Sequence, residues 1–289
     1  MHEENMHIQW YPGHMTKTRR QMETDLKQVD AICEILDARI PISSRNPDID
    51  SICGNKPRIV ILNRMDLADP AYTKAWLSYF RQRGMAAIAT DCKSKRGIGE
   101  FQPAVRELLR EKIEKDAAKG MKRAIRVMIV GIPNVGKSTL INQISGRKGA
   151  KAENRPGVTR GKQWVTVDNG LLLLDTPGIL WPKFDDPNVG LMLAYTGAIK
   201  ENVIDLEELA ARLMELLWKR YPDAVKERYG IDVPENEQGY ALLEEAGKKR
   251  GYLLARGEIH TERMAKVLVD EYRNAKLGRF TLETPEDLA

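Results

Sequence analysis

From about residue 31 to 175, short β-rich apolar runs alternate with stretches of helical spacing. That alternation predicts a mostly parallel α/β sheet. The strands are expected at 31–36, 58–62, 86–90, 125–130, 163–167 and 171–174, with helices at about 71–83, 100–118 and 137–145. Ahead of the first strand, Met15, Met22, Leu26 and Val29 recur at helical spacing after the turn Pro12-Gly13, predicting a leading helix over about 15–28. After Gly197 the pattern changes. Leu206, Leu209, Ala210, Leu213, Leu216 and Leu217 form one helical stripe behind a capping Asp205. Two further helical patterns follow near 237–248 and 261–276, with no strand pattern between them. The expected organisation is therefore an α/β domain over 1–200 and a small all-helical domain over 201–289.

Composition supports a folded chain, with 42% apolar and 30% charged residues among 289. The opening residues lack the apolar core of a signal peptide, and the aliphatic run at 171–174 is far short of a membrane span. A soluble, cytoplasmic protein with no membrane partner is expected. Cys33, Cys53 and Cys92 lie far apart without a CxxC or partner histidines, so free thiols are expected. The net charge of +5 is unevenly spread, with +10 on residues 1–200 and −5 on 201–289. Arg147, Lys148, Lys151, Arg155, Arg160 and Lys162 face only Glu153 within 147–162. Such a run is either a solvated face or a surface for a polyanion such as RNA.

The strongest chemical signal is Gly131-Ile-Pro-Asn-Val-Gly-Lys-Ser138, a GxxxxGK[ST] phosphate loop placed between an apolar strand and a helix. Its backbone N–H groups, including those of Asn134, Val135, Gly136 and Thr139, can turn toward phosphates at the positive end of the helix. Lys137 would meet the β- and γ-phosphate oxygens, and Ser138 would ligate Mg²⁺. Asp175-Thr-Pro-Gly178 follows the last strand, 38 residues after Lys137. There Asp175 would hold Mg²⁺ and the Gly178 amide would sense the γ-phosphate. Between them, Arg155-Pro-Gly-Val-Thr159 fits a mobile switch loop or an ordinary Pro-Gly turn; as a switch, Thr159 would complete the metal coordination.

Base selection points upstream. Asn63-Arg64-Met65-Asp66 follows a strand and resembles the NKxD guanine motif, in which Asp66 accepts from the ring N–H and the exocyclic amine of guanine. Arg64 stands where Lys is common, and its planar guanidinium is expected to stack on the base. The companion loop should follow the strand at 86–90, with Asp91-Cys92 and Ser94-Lys95 as alternative registers.

The order of these motifs, guanine motif first and phosphate loop later, resembles the circularly permuted GTPases of ribosome assembly. Trp-Tyr-Pro-Gly-His-Met at 10–15, Asp-Ala-Arg-Ile-Pro-Ile-Ser-Ser-Arg-Asn at 37–46 and Gly-Ile-Leu-Trp-Pro-Lys-Phe at 178–184 strengthen the resemblance, which covers nearly the whole chain. It implies a P-loop GTPase fold, GTP as substrate with Mg²⁺, action on a large ribosomal subunit precursor and its rRNA, a helical RNA-contacting C-terminal domain, and a monomer. Ile179 occupies the position where many GTPases carry a water-orienting glutamine, so another group must act. Asn134 resembles the asparagine of potassium-activated GTPases, implying K⁺ there, or it shapes the loop through a hydrogen bond. His14 is the alternative catalytic candidate. A guanine-nucleotide sensor with negligible hydrolysis is the competing reading, and a P-loop ATPase or small-molecule kinase is disfavoured by Asp66.

Overall fold

The computed structural model describes residues 22–146, 163–167, 170–178, 186–199, 205–232, 237–255 and 257–288. Six strands, β1 (Ala31–Asp37), β2 (Arg58–Asn63), β3 (Ala86–Thr90), β4 (Ile125–Val130), β5 (Gln163–Val167) and β6 (Leu171–Asp175), form one sheet in the order β3-β2-β1-β4-β6-β5. Every pairing is parallel except β5 with β6. The expected strands are all present. Three of them, β1, β2 and β6, run one residue further than the apolar pattern, ending on the polar Asp37, Asn63 and Asp175. Strand register brings Asp37 level with Asn63, so the polar side chains that matter gather at one edge.

Successive residues of a strand face opposite sides of the sheet. Accordingly Cys33, Ile35, Ile59, Ile61, Val127 and Ile129 join one apolar cluster, while Ile32, Met128, Val130 and Leu174 join another with Met22 and Leu26. Residues 22–26 are helical, matching the described part of the expected leading helix. Leu36, Val60 and Leu62 pack on Trp76 and Phe80 of the helix Pro70–Gln82. We number the helices α1 (Ile49–Cys53), α2 (Pro70–Gln82), α3 (Phe101–Leu108), α4 (Arg110–Ala118), α5 (Lys137–Ser145), α6 (Pro187–Tyr195), α7 (Leu206–Arg220), α8 (Pro222–Tyr229), α9 (Gly239–Lys249) and α10 (Thr261–Arg273).

The single helix expected at 100–118 is two helices, broken at Leu109, whose backbone leaves helical geometry (φ −107°, ψ 14°) while its side chain stays buried. Helices α1, α6 and α8 had no counterpart in the periodic pattern. In α6 the run Pro-Asn-Val-Gly-Leu-Met-Leu-Ala-Tyr is apolar almost all round, so it shows no stripe. Its start is nevertheless marked, because Asp186 caps the Asn188 N–H at 2.8 Å ahead of Pro187. Asp205 does cap α7 as expected, accepting from Glu207 N at 2.8 Å and Glu208 N at 3.0 Å.

Helices α7, α9 and α10 pack on one another through Leu209, Leu213, Leu217, Leu242, Leu243 and Leu268, and these belong to the same apolar cluster as one face of the sheet. The chain then returns from α10 to the sheet, where residues 279–284 lie against 38–43 and 65–69. Because one core serves both regions, Leu213→Ala should destabilise the whole protein by about 2–5 kcal/mol in a single transition. Denaturant unfolding followed by far-ultraviolet circular dichroism and tryptophan fluorescence checks this; an early helical transition that leaves the sheet unmoved would contradict it.

Candidate nucleotide-binding site

The four parallel strands β2, β3, β4 and β6 end at the same edge, and each hands over to one of the motifs read from the sequence. Connections run in opposite directions from β1 and β4, so the crevice between them is the topological switch point where open α/β sheets hold ligands. The phosphate loop spans from the end of β4 to α5. Gly136 lies at φ +111°, and a Cβ on it would collide with the Asn63 side-chain nitrogen. Glycine there lets the guanine motif close directly on the phosphate loop. Gly178 is packed the same way, since a Cβ would stand 2.9 Å from both Lys137 Nζ and Pro133 Cα.

Helix α5 has no side-chain cap at its N-terminus, which leaves its first-turn N–H groups for an anion. Lys137 is buried, and its Nζ donates to Gly131 O at 3.0 Å and Ile132 O at 2.8 Å. Burial pushes its ammonium down to about 8, partly offset by the Asp175 carboxylate. Asp175 is itself shifted upward by burial, with Lys137 and the Thr176 N–H pulling the other way. Its Oδ1 is buried without a hydrogen-bond partner among the described residues. An orphaned hard oxygen near the half-buried Ser138 suits Mg²⁺, which bonds carboxylate, hydroxyl and phosphate oxygens.

The guanine motif is fixed by Asn63. Its Nδ2 donates to Val135 O of the phosphate loop at 2.7 Å, while its Oδ1 accepts from Cys92 N and Thr90 Oγ1, both at 3.2 Å. Met65 N donates to Thr90 O at 3.1 Å, joining the two base-side loops again. Asp91 organises the companion turn by accepting from Lys93 N and Ser94 N, and from the Ser94 hydroxyl. Cys92 thus abuts the guanine motif, whereas Ser94 serves the turn and Lys95 sits at φ +68° beyond it. Asp66 is half-buried, and none of the described residues donates a hydrogen bond to it.

Arg64 is tied into the protein through its guanidinium edges. It lies at φ +63°, and its guanidinium donates to Asn134 O at 2.6 Å, Asp37 Oδ2 at 3.3 Å and Thr196 O at 3.4 Å. A buried carboxylate and two backbone carbonyls hold the fork in its own plane. Asp37 also receives Arg39 through Nε at 2.9 Å and Nη2 at 2.8 Å. Burial raises the Asp37 carboxyl, but Arg39 and Arg64 outweigh it and hold the group below the usual carboxylate range. This junction of β1, guanine motif, phosphate loop and α6 was not assigned from the sequence. Its signal was the Asp-Ala-Arg run at 37–39 directly after an apolar strand, a charged pair where burial was due.

The structure therefore assembles Asn63, Arg64, Met65, Asp66, Asp91, Cys92, Asn134, Val135, Gly136, Lys137, Ser138, Thr139, Asp175 and Gly178 along one edge. His14, Thr159, Ile179 and the basic run 147–162 lie outside the described residues. Cys33, Cys53 and Cys92 are buried free thiols.

A phosphate loop, a strand-end aspartate and a guanine motif on this sheet define a P-loop GTPase whose motifs run in circularly permuted order. Residues 126–219 match the family described as 50S ribosome-binding GTPase. Ribosome biogenesis GTPase A of Bacillus licheniformis is 50% identical over 285 residues, spanning 98% of this chain and 100% of that protein. The protein of the same name from Priestia megaterium is 48% identical over 98% of each chain. The GDP-bound structure of YlqF from Thermotoga maritima superposes with a TM-score of 0.63 at 28% identity, over 93% of this chain and 100% of the other. The chain belongs to the ribosome biogenesis GTPase A family, and it is a GTP hydrolase.

The buried Lys137 gives GTP binding a pH dependence. Phosphate contact raises the ammonium pKa above its value of about 8 in the free protein, so binding takes up a proton at alkaline pH. Below pH 8 both states are protonated and affinity should be flat; above it, affinity should fall by up to about tenfold per pH unit. Calorimetry at pH 8.5 in buffers of different ionisation heat measures the uptake. A pH-independent affinity from 7 to 9.5 would place the lysine away from the phosphates.

Proposed function

We propose that this GTPase acts in late assembly of the large ribosomal subunit, binding the precursor and its rRNA in the GTP state and hydrolysing GTP once docked. Lys137 neutralises the β- and γ-phosphates, the Gly178 amide reads the γ-phosphate, and Ser138, Thr159 and Asp175 hold Mg²⁺. Held there, Mg²⁺ would offset the charge that develops in transfer. Asp66 selects guanine, and Asn134 is placed in the phosphate loop to share a K⁺ ion with the phosphates. With Ile179 unable to orient water, His14 supplies the hydrogen bond that places the nucleophile.

The observation that carries the RNA part lies at the opposite edge of the sheet. A basin of about 850 Å³ is lined by Lys27, Lys112, Lys122, Arg123 and Arg126, all exposed, with Lys56 and Arg106 beside them. Asp30 and Asp116 are its only carboxylates, and Asp30 is already engaged by Lys112 at 2.9 Å and by the Arg126 N–H at 2.8 Å. Cations spread over several segments suit the repeated charges of a phosphodiester backbone better than one small anion. Residues 119–124, which join the two permuted halves, supply Lys122 and Arg123. The helical region 201–289 carries a net charge of −5, so any RNA contact there rests on local groups rather than on its overall charge.

Single-turnover GTP hydrolysis with and without precursor large-subunit particles tests the reading. Stimulation of at least about tenfold is expected, and His14→Ala should remove about 10²-fold of the stimulated rate while sparing GTP affinity. Equal rates with and without particles would refute the subunit-activated mechanism; a fully active His14→Ala would move water placement to the Asn134 cation site or to the ribosome.

For the basin, Lys122→Glu with Arg123→Glu should weaken rRNA-fragment binding and make the log–log salt slope shallower by about one per lost contact. Unchanged slope and affinity would make the basin a solvated face.

A further inference from the structure

The last residues of the chain form a strap over the outer side of the guanine motif. After α10, the chain turns through Gly278 and lays 279–284 across two loops of the sheet edge. Arg279 Nη2 donates to Met65 O at 2.5 Å and its Nε to Ala68 O at 3.0 Å. Phe280 N donates to Leu67 O at 3.2 Å, and Thr281 Oγ1 accepts from Asp69 N at 3.1 Å. Further along, Leu282 N donates to Arg39 O at 2.8 Å, and Glu283 accepts from Ile42 N at 2.7 Å and Ser43 N at 3.0 Å. The carbonyls on either side of Asp66 are thus held by the strap, while the loop's inner side is held by Thr90 and Asn63.

The strap is itself anchored in the helical region. Phe280 stacks on Tyr221 between α7 and α8, with ring centroids 4.3 Å apart. The Tyr221 hydroxyl donates to Thr281 O at 2.9 Å and accepts from Thr281 N at 3.1 Å. Trp76 Nε1 of α2 closes the other end on Glu283 O at 2.9 Å.

We propose that Arg279 is a positioning residue for guanine recognition, setting the angle at which Asp66 meets the base. Recognition of guanine needs both Asp66 oxygens, one for the ring N–H and one for the exocyclic amine. Hydrogen bonds weaken steeply as they bend, so a loop free to rock loses the second of these first. Arg279 acts by clamping the carbonyls of Met65 and Ala68, on either side of Asp66. The selectivity of the site is therefore tied to the C-terminal helical region through residues 274–278, which join α10 to Arg279, and through one stacked aromatic pair.

The inference rests on Asp66 reading guanine, and the test separates the two. Hypoxanthine lacks the exocyclic amine, so the ratio of GTP to ITP affinity reports the second hydrogen bond alone. Calorimetric titration of the full chain with Mg²⁺ compares wild type, Arg279→Ala and Arg279→Lys. Arg279 is exposed, so its removal spares the fold. Arg279→Ala should weaken GTP by about tenfold and ITP less, lowering the ratio by about threefold or more, with partial recovery in Arg279→Lys, which can still cap one carbonyl. An unchanged ratio, including an equal loss for both nucleotides, would overturn the proposal. Wild-type protein that binds ATP as well as GTP would instead refute the guanine reading of Asp66 itself.

Discussion

A buried carboxylate at the end of β1 organises this protein. Left unpaired, Asp37 would cost several kcal/mol, and breaking such a pair from one side typically costs about 3–5 kcal/mol. The fold meets that constraint by drawing in Arg39 and Arg64. Each guanidinium has donors to spare, and those reach Thr196 O and, from Arg64, Asn134 O. One charge thereby fixes the guanine motif against the phosphate loop and both against the C-terminus of α6. Arg273 adds to the same corner by donating to Ala194 O at 2.6 Å and Tyr195 O at 3.0 Å. The corner lies where the helical region meets the chain that follows the Asp175 motif.

Permutation changes which parts of the chain are covalently near one another without changing the site. The guanine half comes first and ends at α4; the phosphate half begins at β4, and the two meet side by side as β1 and β4. Asn63 then bonds across the junction, from the first half to the phosphate loop of the second. The rearranged order leaves α6 and the helical region downstream of Asp175 and Gly178, so movement at the γ-phosphate has a short path to α7–α10. The strap brings the same region back to the guanine motif. Both ends of the nucleotide site are therefore linked to one set of helices, a geometry suited to the nucleotide-dependent docking proposed above.

Much of this was legible in the sequence because the signals are local. Strands β3, β4 and β5 and helix α5 match their expected bounds, since short apolar runs bounded by turn residues and a glycine-rich loop carry their own punctuation. The loop that carries Lys137 and Ser138, and the strand ends that precede Asp66 and carry Asp175, were legible in the same way. What escaped depends on partners distant in sequence. The uniform hydrophobicity of α6 hid its period, and the break at Leu109 reflects burial rather than any breaker residue. The donors of Arg64 go to Asp37 and a phosphate-loop carbonyl, partners that no local pattern names. No pattern in 279–284 foretells hydrogen bonds to residues more than 200 positions earlier.

Protein contacts alone pre-form the guanine frame, before any nucleotide arrives. Amide hydrogen exchange on the nucleotide-free protein tests this most directly. The Met65, Leu67 and Cys92 amides, bonded to Thr90 O, Arg64 O and Asn63 Oδ1, should already be protected, and Asp37→Asn should speed their exchange while leaving α9 unchanged. Amides that exchange at unprotected rates in the free protein and slow only when GDP is added would contradict it.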